Sequence, residues 1–159
     1  MGSGKTTVGR ILAERLGYRF VDTDAEIESR AGETVGEIFR RHGEASFRER
    51  ELEVVRDLMN SEACVIATGG GAFVQEACAS DLLGRSLTVN LACDLDEGWR
   101  RATLSGTRPL LAQGESGAAS LYAERKDKYS QAHLTVDTTR IAPGEAADRI
   151  LNLLPGSRP

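Results

Sequence analysis

Near its start the chain places Gly2-Ser3-Gly4 directly before Lys5-Thr6-Thr7, a combination suited to holding phosphate. Small residues let backbone N–H groups approach phosphate oxygens, Lys5 can reach the outer phosphates, and Thr6 offers a hydroxyl to Mg2+; a helix starting here adds the positive end of its dipole. A second group is Asp22-Thr23-Asp24, with two carboxylates two positions apart. Asp22 suits a hydrated Mg2+, and Asp24 follows two positions on. Helix capping and turn chemistry also explain the pair, and for Asp24 both roles are compatible. The third group is Gly69-Gly70-Gly71. Three glycines cost more chain entropy than a simple turn requires, so a ligand passing close to the backbone explains them better. Arg48, Arg101, Arg108 and Arg125 are each ordinary as surface cations. Arginine is nevertheless the residue that grips carboxylate and phosphate through paired N–H donors.

These groups need elements to position them. Val8, Ile11, Leu12 and Leu16 lie on one face of a helix that Gly17 stops. Tyr18 to Val21 then reads as a short strand ending at the two aspartates, the sheet edge where ligands bind in open α/β folds. Asp24 to Ala31 reads as a helix closed by Gly32, and Thr34 with Glu37 as a capping box for a helix stopped near Gly43. The next helix, Glu44 to Met59, carries Phe47, Glu51, Val54, Val55 and Leu58 on one side. A glutamate on that apolar face calls for a cationic partner. Cys64 to Thr68, Leu87 to Leu91 and Leu134 to Val136 read as strands, and Asp94 to Leu104, Ser120 to Ala132 and Gly144 to Leu154 as helices, the last with Pro143 near its first turn. Strands alternating with helices argue for an α/β fold whose parallel sheet is covered on both faces. The Gly/Ser/Ala-rich stretch from Ser105 to Ala119, around Arg108-Pro109-Leu110-Leu111, reads as a mobile flap.

Composition narrows the classes. A length of 159 residues and a hydrophobic content of 40% suit one soluble domain. No run approaches a membrane span and no secretory leader is visible, so the plain reading is cytoplasmic. A formal net charge of −4 leaves no nucleic-acid footprint, so a few placed arginines must hold any anionic ligand. Cys64, Cys78 and Cys93 are odd in number and lack C-x-x-C spacing, which favours buried thiols over disulfides or zinc. His42, His133 and Trp99 read as structural.

With these pieces in order, the sequence resembles shikimate kinase, a P-loop family with a nucleoside-monophosphate-kinase-like fold. The segments that carry the resemblance are G-S-G-K-T-T-V-G-R at 2–10, F-V-D-T-D at 20–24, I-E-S-R-A-G at 27–32 and I-F-R-R-H-G-E-A-S-F-R at 38–48. A-T-G-G-G-A at 67–72, T-R-P-L-L at 107–111 and E-R-x-x-x-Y at 124–129 continue the series. The resemblance implies a three-layer kinase domain over residues 1–159: a five-stranded parallel sheet with flanking helices, substrate-binding helices at about 24–60 and a lid at about 105–119. It implies transfer of the ATP γ-phosphoryl group to the 3-hydroxyl of shikimate, in the chorismate route to aromatic amino acids, by a cytoplasmic monomer using Mg2+. Gly2, Ser3, Gly4, Lys5, Thr6 and Thr7 would hold ATP, with Lys5 stabilising the transferring phosphoryl group and Thr6 and Asp22 serving the metal. Asp24 would orient the shikimate hydroxyl. Arg48 and Arg125 would hold the carboxylate, with Glu51 bracing Arg48, and Gly69, Gly70 and Gly71 would pass along the ring. Arg108 would reach the phosphates from the lid, Arg101 would pack on adenine, and Arg140 would lie near it.

Two stretches depart from the family pattern. Lys126-Asp127-Lys128 follows Arg125 where a proline and an apolar residue are usual, and Phe73 to Asp81 lacks an asparagine-arginine pair. The first glycine of G-x-x-x-x-G-K-[ST] and the strand feeding it would precede Met1. The expectation is therefore an N-terminally shortened chain lacking its first, central strand, which folds poorly or is inactive; reading the coding DNA upstream of Met1 tests this. Competing readings are a gluconate-type or other small-molecule kinase of the same fold, and a ligand-sensing domain without catalysis. Two separated arginines and the triple glycine suit a rigid carboxylated ring better than a flexible polyol. Lys5, Asp22 and Asp24 are all present, which favours an enzyme over a sensor.

Overall fold

Local sequence signals set the ends of most helices in the computed structural model, which describes residues 2–105 and 114–154. The chain runs α1 (Lys5–Leu16), β1 (Arg19–Asp22), α2 (Thr23–Ala31), α3 (Val35–Leu58), β2 (Cys64–Ala67), α4 (Glu76–Arg85), β3 (Val89–Ala92), α5 (Leu95–Ser105), α6 (Gly114–Tyr129), β4 (Leu134–Asp137) and α7 (Pro143–Leu153). Gly17 and Gly32 follow α1 and α2 at φ +67°, the left-handed conformation in which glycine ends helices. The capping box is complete: Thr34 Oγ1 accepts the Glu37 N–H, and Glu37 Oε2 accepts the Thr34 N–H at 2.8 Å. Pro143 occupies the first turn of α7, as expected.

The strands form two parallel pairs. In one, β1 lies beside β2 with Arg19 opposite Cys64 and Asp22 opposite Ala67. In the other, β3 lies beside β4 with Val89 opposite Leu134 and Ala92 opposite Asp137. Each crossover is helical, as parallel pairing requires. The chain divides into two compact units, one of Leu12–Leu87 and the other of Met1–Ile11 with Thr88–Pro159.

Within Leu12–Leu87, α3 is the central element. It buries Ile38, Phe47, Val54 and Leu58 against Ile27 of α2 and the strand residues Val21 and Ile66. Its adjacent residue Val55 faces the other way, toward Ala72 and toward Cys78 and Leu82 of α4. The apolar stripe of α3 is therefore wide enough to serve two neighbours. The helix breaks where expected: Gly43 sits at φ 80°, ψ 173°, a region open essentially to glycine alone. Phe39 and Phe47 stack across that break, ring centroids 4.7 Å apart. In the other unit, α7 packs on β4 and buries Ala146, Ala147 and Ile150. His133 is structural, its Nδ1 lying 2.7 Å from Thr88 Oγ1 at the start of the β3–β4 pair.

Two elements differ from the sequence reading. Helix α4 was not expected, because its buried side chains, Cys78, Ala79 and Leu82, include two small residues and make only a faint stripe. Helix α6 begins at Gly114 rather than Ser120 and ends at Tyr129; it therefore occupies part of the stretch expected to be a flap. Among the described residues no helix is long and apolar enough to cross a membrane.

Candidate active site

The turn from β1 into α2 fixes both aspartates. Asp22 is the N-cap of α2, and its Oδ1 accepts the Asp24 N–H at 3.1 Å. The capping role read from sequence is therefore real. It leaves chemistry for the same group, since a carboxylate has about four acceptor positions. Thr23, between them, is fully buried, and its hydroxyl oxygen accepts the Gly69 N–H at 3.0 Å.

The glycine loop after β2 lies against three charged side chains. A methyl group placed on Gly69 would come within 2.7 Å of Asp24 Oδ1 and 2.9 Å of Glu51 Oε1. One placed on Gly71 would be 2.5 Å from Arg48 Cζ and from Arg48 Nη2. A side chain at either position would therefore have to displace charged groups of the protein itself, a crowding that stands beside the close approach of a ligand as a reason for glycine.

Glu51 has the cationic partner its position called for. It is 0% exposed, and Arg48 Nη1 donates to its Oε2 at 2.7 Å. Arg48 Nε and Nη2 donate to Glu44 Oε1 at 3.2 and 3.0 Å, and its guanidinium lies 5.2 Å from the Phe47 ring centroid. Partial burial works against the charge, but the bonds to Glu51 and then Glu44 outweigh it and hold the Arg48 pKa above its ordinary value. These contacts engage three of the five N–H donors of arginine, leaving donor capacity for a carboxylate ligand. Beneath the pair, burial and the nearby Glu51 charge push the Cys78 thiol up to about 12, so it stays protonated and inert.

The Met1–Ile11 and Thr88–Pro159 unit holds the phosphate-loop residues. Gly2 and Gly4 adopt φ +67° and +85°, and a methyl on Gly2 would strike the Gly98 backbone, 2.8 Å from its carbonyl carbon. Ser3 is buried, and its carbonyl accepts the Thr138 hydroxyl at 3.2 Å. Lys5, Thr6 and Thr7 open α1, whose first turn contains no acidic residue. Left-handed glycines leading into a helix N-terminus are the backbone arrangement that binds phosphate.

In the same unit Arg101 is held on several sides. Its Nε donates to Glu97 Oε1 at 2.6 Å, and Nη2 donates to the carbonyls of Thr138 and Thr139 at 2.9 and 3.1 Å. Glu97 also takes two bonds from Arg100, and these cations lower its pKa to about 2. Thr139 and Arg140 line a cavity of about 400 Å3 with Asp94, Asp137, Ile141 and Arg149. Arg101 and Arg140 are thus brought to one place through Thr139. Arg125 is half-buried on α6, and Arg108 lies outside the described residues. Sequence reasoning missed Thr23, Glu44 and Glu97. A hydroxyl between two aspartates at a strand-to-helix turn is a weak signal for the first; glutamates four residues before Arg48 and Arg101 signal the other two.

No group of three or more His, Cys, Asp or Glu residues able to hold a metal occurs among the described residues. The available donors are oxygens, which suits a hard divalent cation carried largely by substrate phosphates and water.

A family model described as shikimate kinase matches residues 1–155. A shikimate kinase of Thermobifida fusca is 46% identical over 158 residues, covering 98% of this chain and 91% of the relative. One from Ruegeria pomeroyi is 44% identical over 161 residues, covering 97% and 80%. Among solved structures, shikimate kinase from Acinetobacter baumannii in complex with shikimate matches with a TM-score of 0.92 and 40% identity, over 96% of this chain and 87% of that one.

Proposed function

The chain belongs to the shikimate kinase family, and from that premise we propose that it transfers the γ-phosphoryl group of ATP to the 3-hydroxyl of shikimate. One observation carries the substrate assignment. Two residues apart on the glycine loop, Gly69 abuts the Asp24 carboxylate and Gly71 abuts the Arg48 guanidinium. A hydroxyl-directed carboxylate and a carboxylate-directed guanidinium, held close by one loop, suit a small rigid ring bearing both a hydroxyl and a carboxylate.

Phosphoryl transfer asks for positioning and charge stabilisation more than covalent chemistry. Asp24 orients the 3-hydroxyl and takes its proton as that oxygen bonds to the γ-phosphorus and the bond to the leaving ADP breaks. Arg48, braced by Glu51, holds the substrate carboxylate together with Arg125, and Gly69, Gly70 and Gly71 pass their backbone along the ring. Gly2, Ser3, Gly4 and Thr7 cradle the ATP phosphates, and Lys5 follows the transferring group. Thr6 and Asp22 would hold Mg2+ through oxygen, and the ion would neutralise charge on the phosphates. Arg101 and Arg140 serve the adenine end, and Arg108 reaches the phosphates from a lid over about 105–119 that excludes water. Residues 24–60 act as the substrate-binding helices of a single kinase domain, working as a cytoplasmic monomer.

The test is an ADP-release assay with shikimate, gluconate and nucleoside monophosphates as acceptors, on the wild type and Lys5→Ala. Turnover with shikimate alone, lost by at least about 100-fold in Lys5→Ala, is expected. Preference for another acceptor, or near-normal activity without Lys5, overturns the reading.

A further inference from the structure

The β1–β2 ladder ends at Asp22 opposite Ala67, because the next residue, Thr23, is already the first of α2. Its backbone leaves the sheet for the helix. The strand opposite continues into the glycine loop, whose first N–H, that of Gly69, then needs another acceptor. The Thr23 hydroxyl supplies it at 3.0 Å, from a side chain that is 0% exposed. This bond joins residues 46 positions apart and crosses from the aspartate turn to the glycine loop.

Its location gives it leverage. Gly69 is packed so closely on Asp24 Oδ1 and Glu51 Oε1 that a methyl group would lie 2.7 and 2.9 Å from them. The Gly69 backbone thus lies beside both carboxylates, and its position bounds the space open to the Asp24 carboxylate and to the Glu51–Arg48 pair. We propose that Thr23 is a positioning residue for the reaction: its hydroxyl pins Gly69, and Gly69 in turn sets the carboxylate of Asp24 and, through Glu51, the guanidinium of Arg48. Thr23 touches no substrate. The inference rests on the proposed roles of Asp24 and Arg48.

Valine matches threonine in shape and lacks the acceptor, whereas serine keeps the acceptor and loses only a methyl group. Kinetics on Thr23→Val and Thr23→Ser separate position from bulk. Losing one buried hydrogen bond is expected to lower kcat/KM for shikimate about tenfold in Thr23→Val, with KM for ATP within about twofold and with Thr23→Ser near wild type. Gly69 amide hydrogen exchange is expected to accelerate in Thr23→Val and not in Thr23→Ser. If Thr23→Val does not fold, Thr23→Ala takes its place with the same expectations. Unchanged kcat/KM for shikimate in a folded variant lacking the hydroxyl overturns the proposal, as does an equal loss in Thr23→Ser. A wild type inactive on shikimate would instead overturn the functional reading; faster Gly69 exchange in Thr23→Val would then still establish the pin.

Discussion

Replacing Gly71 with alanine should break the Arg48–Glu51 pair from a position that contributes no side chain of its own. The added methyl would stand 2.5 Å from Arg48 Cζ, whereas non-bonded atoms need about 3.5 Å. The guanidinium must therefore retreat by about 1 Å. A displacement of that size away from Glu51 stretches the 2.7 Å bond past hydrogen-bond length and weakens the pairing of a fully buried carboxylate. Breaking a buried pair costs about 3–5 kcal/mol. Arg48 is 23% exposed and keeps Glu44, so the expected loss is about 2–3 kcal/mol. In urea unfolding this lowers the midpoint by about 1 M at constant slope. On the proposed role of Arg48 as a ligand of the substrate carboxylate, KM for shikimate should also rise at least about tenfold. Repeating the substitution in a Glu51→Gln background isolates the mechanism: with no buried charge to abandon, the cost of Gly71→Ala should fall by about half or more. An equal cost in both backgrounds, or an unchanged midpoint in the single variant, refutes the reasoning.

Two further outcomes follow from other parts of the chain. The Glu97 pKa, held near 2 by Arg100 and Arg101, lies below its ordinary value, so the folded protein binds fewer protons there than the unfolded chain. Its stabilisation is complete above the unfolded pKa and disappears as pH falls from about 4.5 through about 2. Urea midpoints of Glu97→Gln should therefore fall less steeply than wild type across that window and run parallel to it above about pH 5.5. Gly84 lies inside α4 with nothing within 4 Å of an added methyl, so Gly84→Ala should raise stability by about 0.5–1 kcal/mol. A lower midpoint for that variant would mean α4 packs differently there.

Legibility in the sequence followed the range of the forces involved. Thr34 with Glu37, the stops at Gly17 and Gly32, and the break at Gly43 are local signals, and each acts where it was read. The need of Glu51 for a cation was also legible, because burial of a carboxylate is an energetic demand whatever the fold. The protein's own share in crowding Gly69 and Gly71 was not. Their crowding comes from Asp24, Glu51 and Arg48, which fold against them from elsewhere in the sequence, and a single glycine run looks the same whether ligand or protein fills the space. Thr23 was hidden similarly, between two aspartates that drew attention to their charge. Helix α4 escaped because Cys78 and Ala79 bury little area and barely mark a periodicity.

The bend in α3 has a bearing on how this site can change over generations. Its angle is set by Gly43 and by the Phe39–Phe47 stack, and Phe39 is 37% exposed, so residue 39 can vary without a buried cavity opening. Phe47 adjoins Arg48, whose guanidinium rests over its ring. Substitutions at residue 39 thus offer a graded adjustment of where Arg48, the proposed carboxylate ligand, points, reachable by single mutational steps that leave the proposed binding residues intact. Laboratory selection for altered acceptor acids should accumulate changes there before it touches Arg48 itself.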